Sequence, residues 1–118
     1  MKRIEWLLAR KEETVLNVFK LQSMIQESDS LAILMYGSPD PDAVASAMAL
    51  REIVKHTKPL LKCIFVATEP VIRYQNAEFI REMKAEIRML DETDLQDFLL
   101  IAVVDAQPTF FGDRLGAI

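Results

Sequence analysis

Two uninterrupted apolar runs limit what this chain can fold into. Residues 31–36 read Leu-Ala-Ile-Leu-Met-Tyr, and residues 98–104 read Phe-Leu-Leu-Ile-Ala-Val-Val. A strand with one wet face alternates apolar and polar side chains. A run without alternation belongs to a strand covered on both faces, the usual setting of a parallel sheet. Neither run approaches the roughly 20 apolar residues that a membrane-crossing helix requires. Residues 61–67 form a further strand candidate. Residues 86–90, Glu-Ile-Arg-Met-Leu, read either as a short alternating strand or as an extension of the helix before them.

Helical spacing fills the intervals. Over residues 1–28, Ile4, Leu7, Leu8, Val15, Val18, Phe19 and Ile25 fall near one face, and Ser28, Asp29 and Ser30 break the pattern. A second helix is predicted from Asp42, whose side chain is the expected cap, to about His56. Ala43, Ala47, Leu50, Ile53 and Val54 form its apolar face, and Pro59 stops it. A third is expected from Asn76 to about Lys84, with Phe79, Ile80 and Met83 on one side. Strands alternating with helices imply an α/β fold: a Rossmann-like parallel β-sheet flanked by helices, with right-handed crossovers and an N-terminal helix. The expected division is residues 1–30 as that helix and 31–118 as the α/β unit.

Composition bounds the function. The 118 residues are 51% hydrophobic and 27% charged, so the chain can build a core. Its net charge of −4 argues against a broad electrostatic grip on nucleic acid. The early charges Lys2, Arg3, Glu5, Arg10 and Lys11 do not fit a signal peptide, and with no apolar span a membrane partner is not expected. The single cysteine, Cys63, excludes a disulfide within the chain and is read as core; a reducing, cytoplasmic location is the expectation.

The chemistry is expected beyond the carboxyl ends of the strands, where open parallel sheets bind ligands. Asp40 and Asp42 lie in the loop Gly37-Ser-Pro-Asp-Pro-Asp42, and Asp105 directly follows the last apolar run. Converging carboxylates repel unless cations lie between them, and Mg²⁺ or Mn²⁺ prefer such oxygen ligands. Two ions roughly 3.5–4 Å apart generate a hydroxide and clamp a phosphoryl group. Each aspartate also has a purely structural explanation. Asp42 alone reads as an N-cap, Asp40 between two prolines as a turn residue, and Asp105 as the start of a turn.

The segment Ser38-Pro-Asp-Pro-Asp-Ala-Val-Ala-Ser-Ala-Met-Ala-Leu50 resembles the first motif of the DHH phosphoesterases. Val103-Val-Asp-Ala-Gln-Pro108 resembles their second, a strand ending in aspartate, and Tyr74-Gln-Asn-Ala-Glu-Phe-Ile80 is similar to RecJ-like members. The resemblance spans about residues 31–108. It implies a two-metal phosphoesterase, usually with Mn²⁺, acting on a nucleotide or short oligonucleotide. Asp40 and Asp42 would each ligate one ion, Asp105 would bridge them, and Ser46 would support the metal loop. The chain departs from the pattern twice. Tyr36 stands where the family has histidine, and a phenol stays protonated at neutral pH and so ligates Mn²⁺ poorly. The Asp-His-His motif is absent, the one histidine being His56, which reads as an exposed residue near a helix end. The resemblance therefore implies an N-terminal part of such an enzyme, inactive alone, with the third motif and a substrate-binding domain lying outside these residues.

Two competing readings belong to other classes. One is a regulatory module of the same fold that binds a nucleotide or partner without catalysis. The other is a haloacid-dehalogenase-type phosphotransferase, because Asp40-Pro-Asp-Ala-Val44 fits D-x-D-x-[TV]. There the first aspartate directly follows its strand, whereas here Gly37, Ser38 and Pro39 intervene. Arg114, shortly after Asp105, is the arginine favoured to contact substrate phosphate; Arg51 and Arg73 are read as surface residues. Residues 91–97 are read as a solvated loop. Trp6 and the apolar face of the first helix are expected to pack on their own sheet, with a second subunit, and hence a homodimer, as the competing destination.

Overall fold

The computed structural model describes residues 2–71, 74–82 and 86–115, with the side chains of residues 2–12, 14, 74, 75 and 114 outside the described set. Helix α1 (Lys2–Gln26) leads into strand β1 (Ser30–Met35), helix α2 (Pro41–Thr57) and strand β2 (Lys62–Ala67). Helix α3 (Tyr74–Glu82), strand β3 (Ile87–Met89) and strand β4 (Leu100–Val103) follow, and a 3-10 segment, Pro108–Leu115, comes after β4. The four strands form one parallel sheet in the order β3-β2-β1-β4. The expected α/β architecture with an N-terminal helix is what the chain adopts. Residues 86–90 contribute a strand, and Arg73 and Met83 lie outside the described residues.

The apolar run of the first strand is explained by its position. β1 is internal, and all six of its residues are buried. Leu31, Ile33 and Met35 face a layer containing Ile25, Val44, Ala47, Val54, Phe65 and Ile80, supplied by the helices and β2. Ala32 and Leu34 face the opposite side, where Leu90, Leu95, Phe98 and Phe111 cover the sheet with Ile64 and Val66. The strand order accounts for this division. The crossovers from β1 to β2 and β3 move one way across the sheet. The link from β3 to β4 returns past β2 and β1, and a right-handed return must run over the other face. Residues 91–97 are therefore not a plain solvated loop. With Leu90 they form two 3-10 turns, Leu90–Glu92 and Leu95–Asp97, with Leu90 and Leu95 buried and the acidic residues 91, 92, 94 and 97 exposed.

Two helical faces differ from the periodicity. On α2 the buried residues are Ala43, Val44, Ala47 and Val54, while Ile53 is exposed. The helix is rotated toward Val44 because small residues let its first turns approach the sheet. On α1, Val15, Val18 and Phe19 are exposed, and the packed residues are Ile25 and the half-buried Leu21. Among the described side chains of α1, those of the C-terminal turns reach the core, and the expected packing of its apolar face on the sheet does not extend to residues 15–19. Trp6 lies outside the described side chains.

Candidate functional site

The sheet reverses its strand order between β1 and β4. The chain leaves β1 toward β2 on one side, while β4 lies on the other. The crevice at such a switch point, beyond the carboxyl ends of the strands, is where open α/β sheets bind ligands. Both acidic segments border it.

The loop after β1 is fixed by the loop after β2. Gly37 has φ +79°, a left-handed conformation that favours glycine. Its N–H donates to the Thr68 hydroxyl at 2.6 Å, and the Glu69 N–H donates to the Gly37 carbonyl at 3.2 Å. The chain then enters α2 through Asp40, not Asp42. The backbone of Asp40 is extended, its Oδ1 accepts from the Ala43 N–H at 2.8 Å, and its carbonyl accepts from the Val44 N–H at 3.0 Å. Pro41 explains why the cap falls two residues before the expected one. Its fixed φ suits the first helical position, and its missing N–H has no partner to lose there. Asp42 is left exposed in the first turn, beside the positive end of the helix dipole. Ser46 donates its hydroxyl to the Asp42 carbonyl at 2.9 Å, one turn along the exposed face.

Asp105 lies beyond β4, the strand next to β1. Leu34 pairs with Val103, and the Val104 N–H donates to the Leu34 carbonyl at 3.1 Å. Pairing therefore holds to the residue before Asp105, placing it at the same edge as the β1 loop. Asp105 is exposed and has φ +54°, a conformation in which a side chain is strained and which aspartate tolerates better than most residues.

Tyr36 has a partner that the sequence did not disclose. Its ring meets Phe110 at 5.4 Å between centroids and Phe111 at 5.6 Å, the latter edge-on. Tyr36 thus fastens the β1 exit to the 3-10 segment following Asp105. Apolar residues at 110 and 111 hinted at a buried contact, but nothing in one dimension names Tyr36 as the ring they meet.

Sequence reasoning thus placed Asp40, Asp42 and Asp105 at one edge, with Ser46 a turn away; the side chain of Arg114 lies outside the described residues. The hard oxygen donors suit Mg²⁺ or Mn²⁺, but they do not enclose an ion as arranged. Among the described residues, no three His, Cys, Asp or Glu side chains form a group able to hold one. His56 does not help. It is exposed at the far end of α2, about 21 Å from Asp42 along the axis at a rise of about 1.5 Å per residue.

Arg51 is another departure from the sequence reading. It is half-buried rather than a simple surface residue, with its guanidinium carbon 4.7 Å from the centroid of the Phe65 ring.

Fold and edge together define an α/β protein with an open parallel sheet and an acidic rim at its switch point. No protein-family model matches the chain, and neither a curated protein nor a solved structure matches it. Among the described residues, no helix is long and apolar enough to cross a membrane.

Proposed function

We propose that this chain is part of a metal-dependent phosphoesterase that hydrolyses a phosphate ester in a nucleotide or short oligonucleotide, with its reaction centre at the β1–β4 switch point. The observation that carries the reading is the arrival of Asp40 and Asp42, and of Asp105 from 63 residues beyond Asp42, at the carboxyl ends of two paired strands. A 17-residue helix starts at the same place and directs its positive end there. Asp42 and Asp105 are exposed and are the side chains best placed to take Mn²⁺ or Mg²⁺. Asp40 has its second carboxylate oxygen for the same use. A bound divalent ion would lower the pKa of its water and offset phosphoryl charge. The chain's own contribution is to position the oxygens and, through the α2 N-terminus, to favour an anion.

The three carboxylates are an incomplete ligand set, so hydrolysis by these 118 residues alone is expected near background. Binding is the sharper test. Calorimetric titration with Mn²⁺ should show uptake that Asp42→Asn and Asp105→Asn each weaken by an order of magnitude or more. No uptake by the unsubstituted chain would remove the metal from the reading. Turnover of pAp, dinucleotides and cyclic dinucleotides then measures the activity itself.

A second reading rests on a specific contact. The Tyr36 ring packs on Phe110 and Phe111 at the position where the resemblance asks for a metal-ligating histidine. That arrangement favours a module that binds a nucleotide without hydrolysing it. Nucleotide binding that is indifferent to Mn²⁺ and to chelator would select this reading. Its partner class is the same, a nucleotide or short oligonucleotide.

A further inference from the structure

β1 pairs with β2 along its whole length, but the opposite edge of β2 is only partly covered. Among the described residues, β3 pairs with β2 only from Phe65↔Ile87 to Ala67↔Met89, which leaves the outer edge of β2 unpaired at Cys63 and Ile64. A pocket of about 240 Å³ occupies that gap, lined by Arg51, Cys63, Ile64, Phe65, Glu86 and Arg88. The two arginines reach it from opposite faces of the sheet. Arg51 comes from α2, on the side of Phe65. Arg88 pairs with Val66 and so shares the other side, because paired residues in a sheet point the same way.

Arg51 is held in place by a ring, and one of its donors has no partner. Its guanidinium stacks on Phe65, and its Nε is buried with no hydrogen-bond partner. Buried polar groups are nearly always paired, so an orphaned Nε marks the Arg51 guanidinium as incompletely satisfied by the protein itself. Glu86 is the only carboxylate in the lining, and it forms no ion pair with either arginine among the described residues. The pocket is therefore net positive on a chain whose net charge is −4. Burial pushes the Cys63 thiol above its ordinary value, and Arg51 and Lys55 pull against that shift, so the positive field reaches the pocket wall.

We propose that this pocket binds a small oxyanion of the phosphate class, held between Arg51 and Arg88 at the open edge of β2. Guanidinium groups present paired N–H donors that match the oxygen spacing of phosphate. The volume falls below the roughly 300–1,000 Å³ typical of pockets for whole small molecules, which suits one anionic group rather than a complete nucleotide. The site uses none of Asp40, Asp42 or Asp105 and stands independently of the phosphoesterase reading.

The sole cysteine, Cys63, lines the pocket and reports on it. Alkylation of Cys63 by iodoacetamide should slow several-fold, and saturably, as inorganic phosphate is added at constant ionic strength. Arg88 is exposed on an edge strand, so Arg88→Ala should abolish this protection while leaving the circular dichroism spectrum unchanged. Arg51→Lys keeps the charge but loses the paired donors, and it should weaken the protection. Four results would overturn the proposal: no protection by phosphate, equal protection by chloride, undiminished protection in Arg88→Ala, or protection that appears only after Glu86→Gln. The last would mean that the pocket is already satisfied by its own carboxylate.

Discussion

The Asp40 carboxylate is turned back toward its own helix, and that separates what the residue does for stability from what it does for an ion. Asparagine caps helices as well as aspartate does, whereas alanine does not. Asp40→Ala should therefore cost about 1 kcal/mol in urea unfolding, and Asp40→Asn only a few tenths. If the carboxylate also serves a cation, both substitutions should reduce Mn²⁺ uptake despite their different stabilities. Asp105 allows the same separation by another route. At φ +54° the backbone itself selects the residue. Asparagine tolerates the left-handed region as aspartate does, so Asp105→Asn should change stability by less than about 0.5 kcal/mol. Asp105→Ala, lacking a polar group to bond its own backbone, should cost about 1 kcal/mol. An Asp105→Asn protein with full stability and undiminished Mn²⁺ uptake would show that the residue is there only for its turn.

Among the elements, α1 depends on α2 for its C-terminus. Its last turn carries no basic side chain to oppose the negative end of the dipole. Lys58, just past the end of α2, supplies the charge by donating its ammonium to the Gln26 and Ser28 carbonyls, and Gln26 Nε2 donates to the Thr57 carbonyl at 3.0 Å. Ser28 is itself buried and returns its hydroxyl to the Met24 carbonyl at 2.8 Å. Removing the ammonium while keeping most of the stem, in Lys58→Met, should destabilise the chain by about 1 kcal/mol. Amide hydrogen exchange should speed up first in the last turns of α1. Exchange that rises uniformly along the chain would refute this local role. The same cross-link explains why the apolar face of α1 was misjudged. The helix is pinned at its C-terminus against the end of α2, so Ile25 is buried while Leu16 and Phe19, two to three turns earlier, are more than half exposed.

For the whole molecule, the consequential feature is the return of the chain from β3 to β4 across the sheet. It places β4 beside β1 and so brings together two aspartate loops that are distant in sequence. An ion held by both loops would tie β1, α2 and β4 together and raise the stability of the entire fold. Ligation of this kind adds about 2.7 kcal/mol when free metal reaches 100 times its dissociation constant. Mn²⁺ should therefore shift thermal unfolding upward, with chelator reversing the shift and Asp105→Asn abolishing it. A shift that persists in Asp105→Asn would place the ion elsewhere.

The strands, their parallel pairing and the acidic edge were legible because each has a local cause. Unbroken apolar runs make buried strands, strand–helix alternation makes crossovers, and Pro41 with Asp40 makes a helix start. Even there, local reasoning chose Asp42 over Asp40 as the cap, since one-dimensional spacing does not reveal which carboxylate bends back to the amides. Strand order, the covering of the second face by Leu90, Leu95 and Phe98, the clasp of Tyr36 on Phe110 and Phe111, and the pairing of Arg51 with Arg88 across the edge of β2 were settled only in three dimensions. They join residues far apart in the chain, and what brings such residues together is how buried surface and crossover handedness are satisfied over the entire sheet, which no short window of sequence contains.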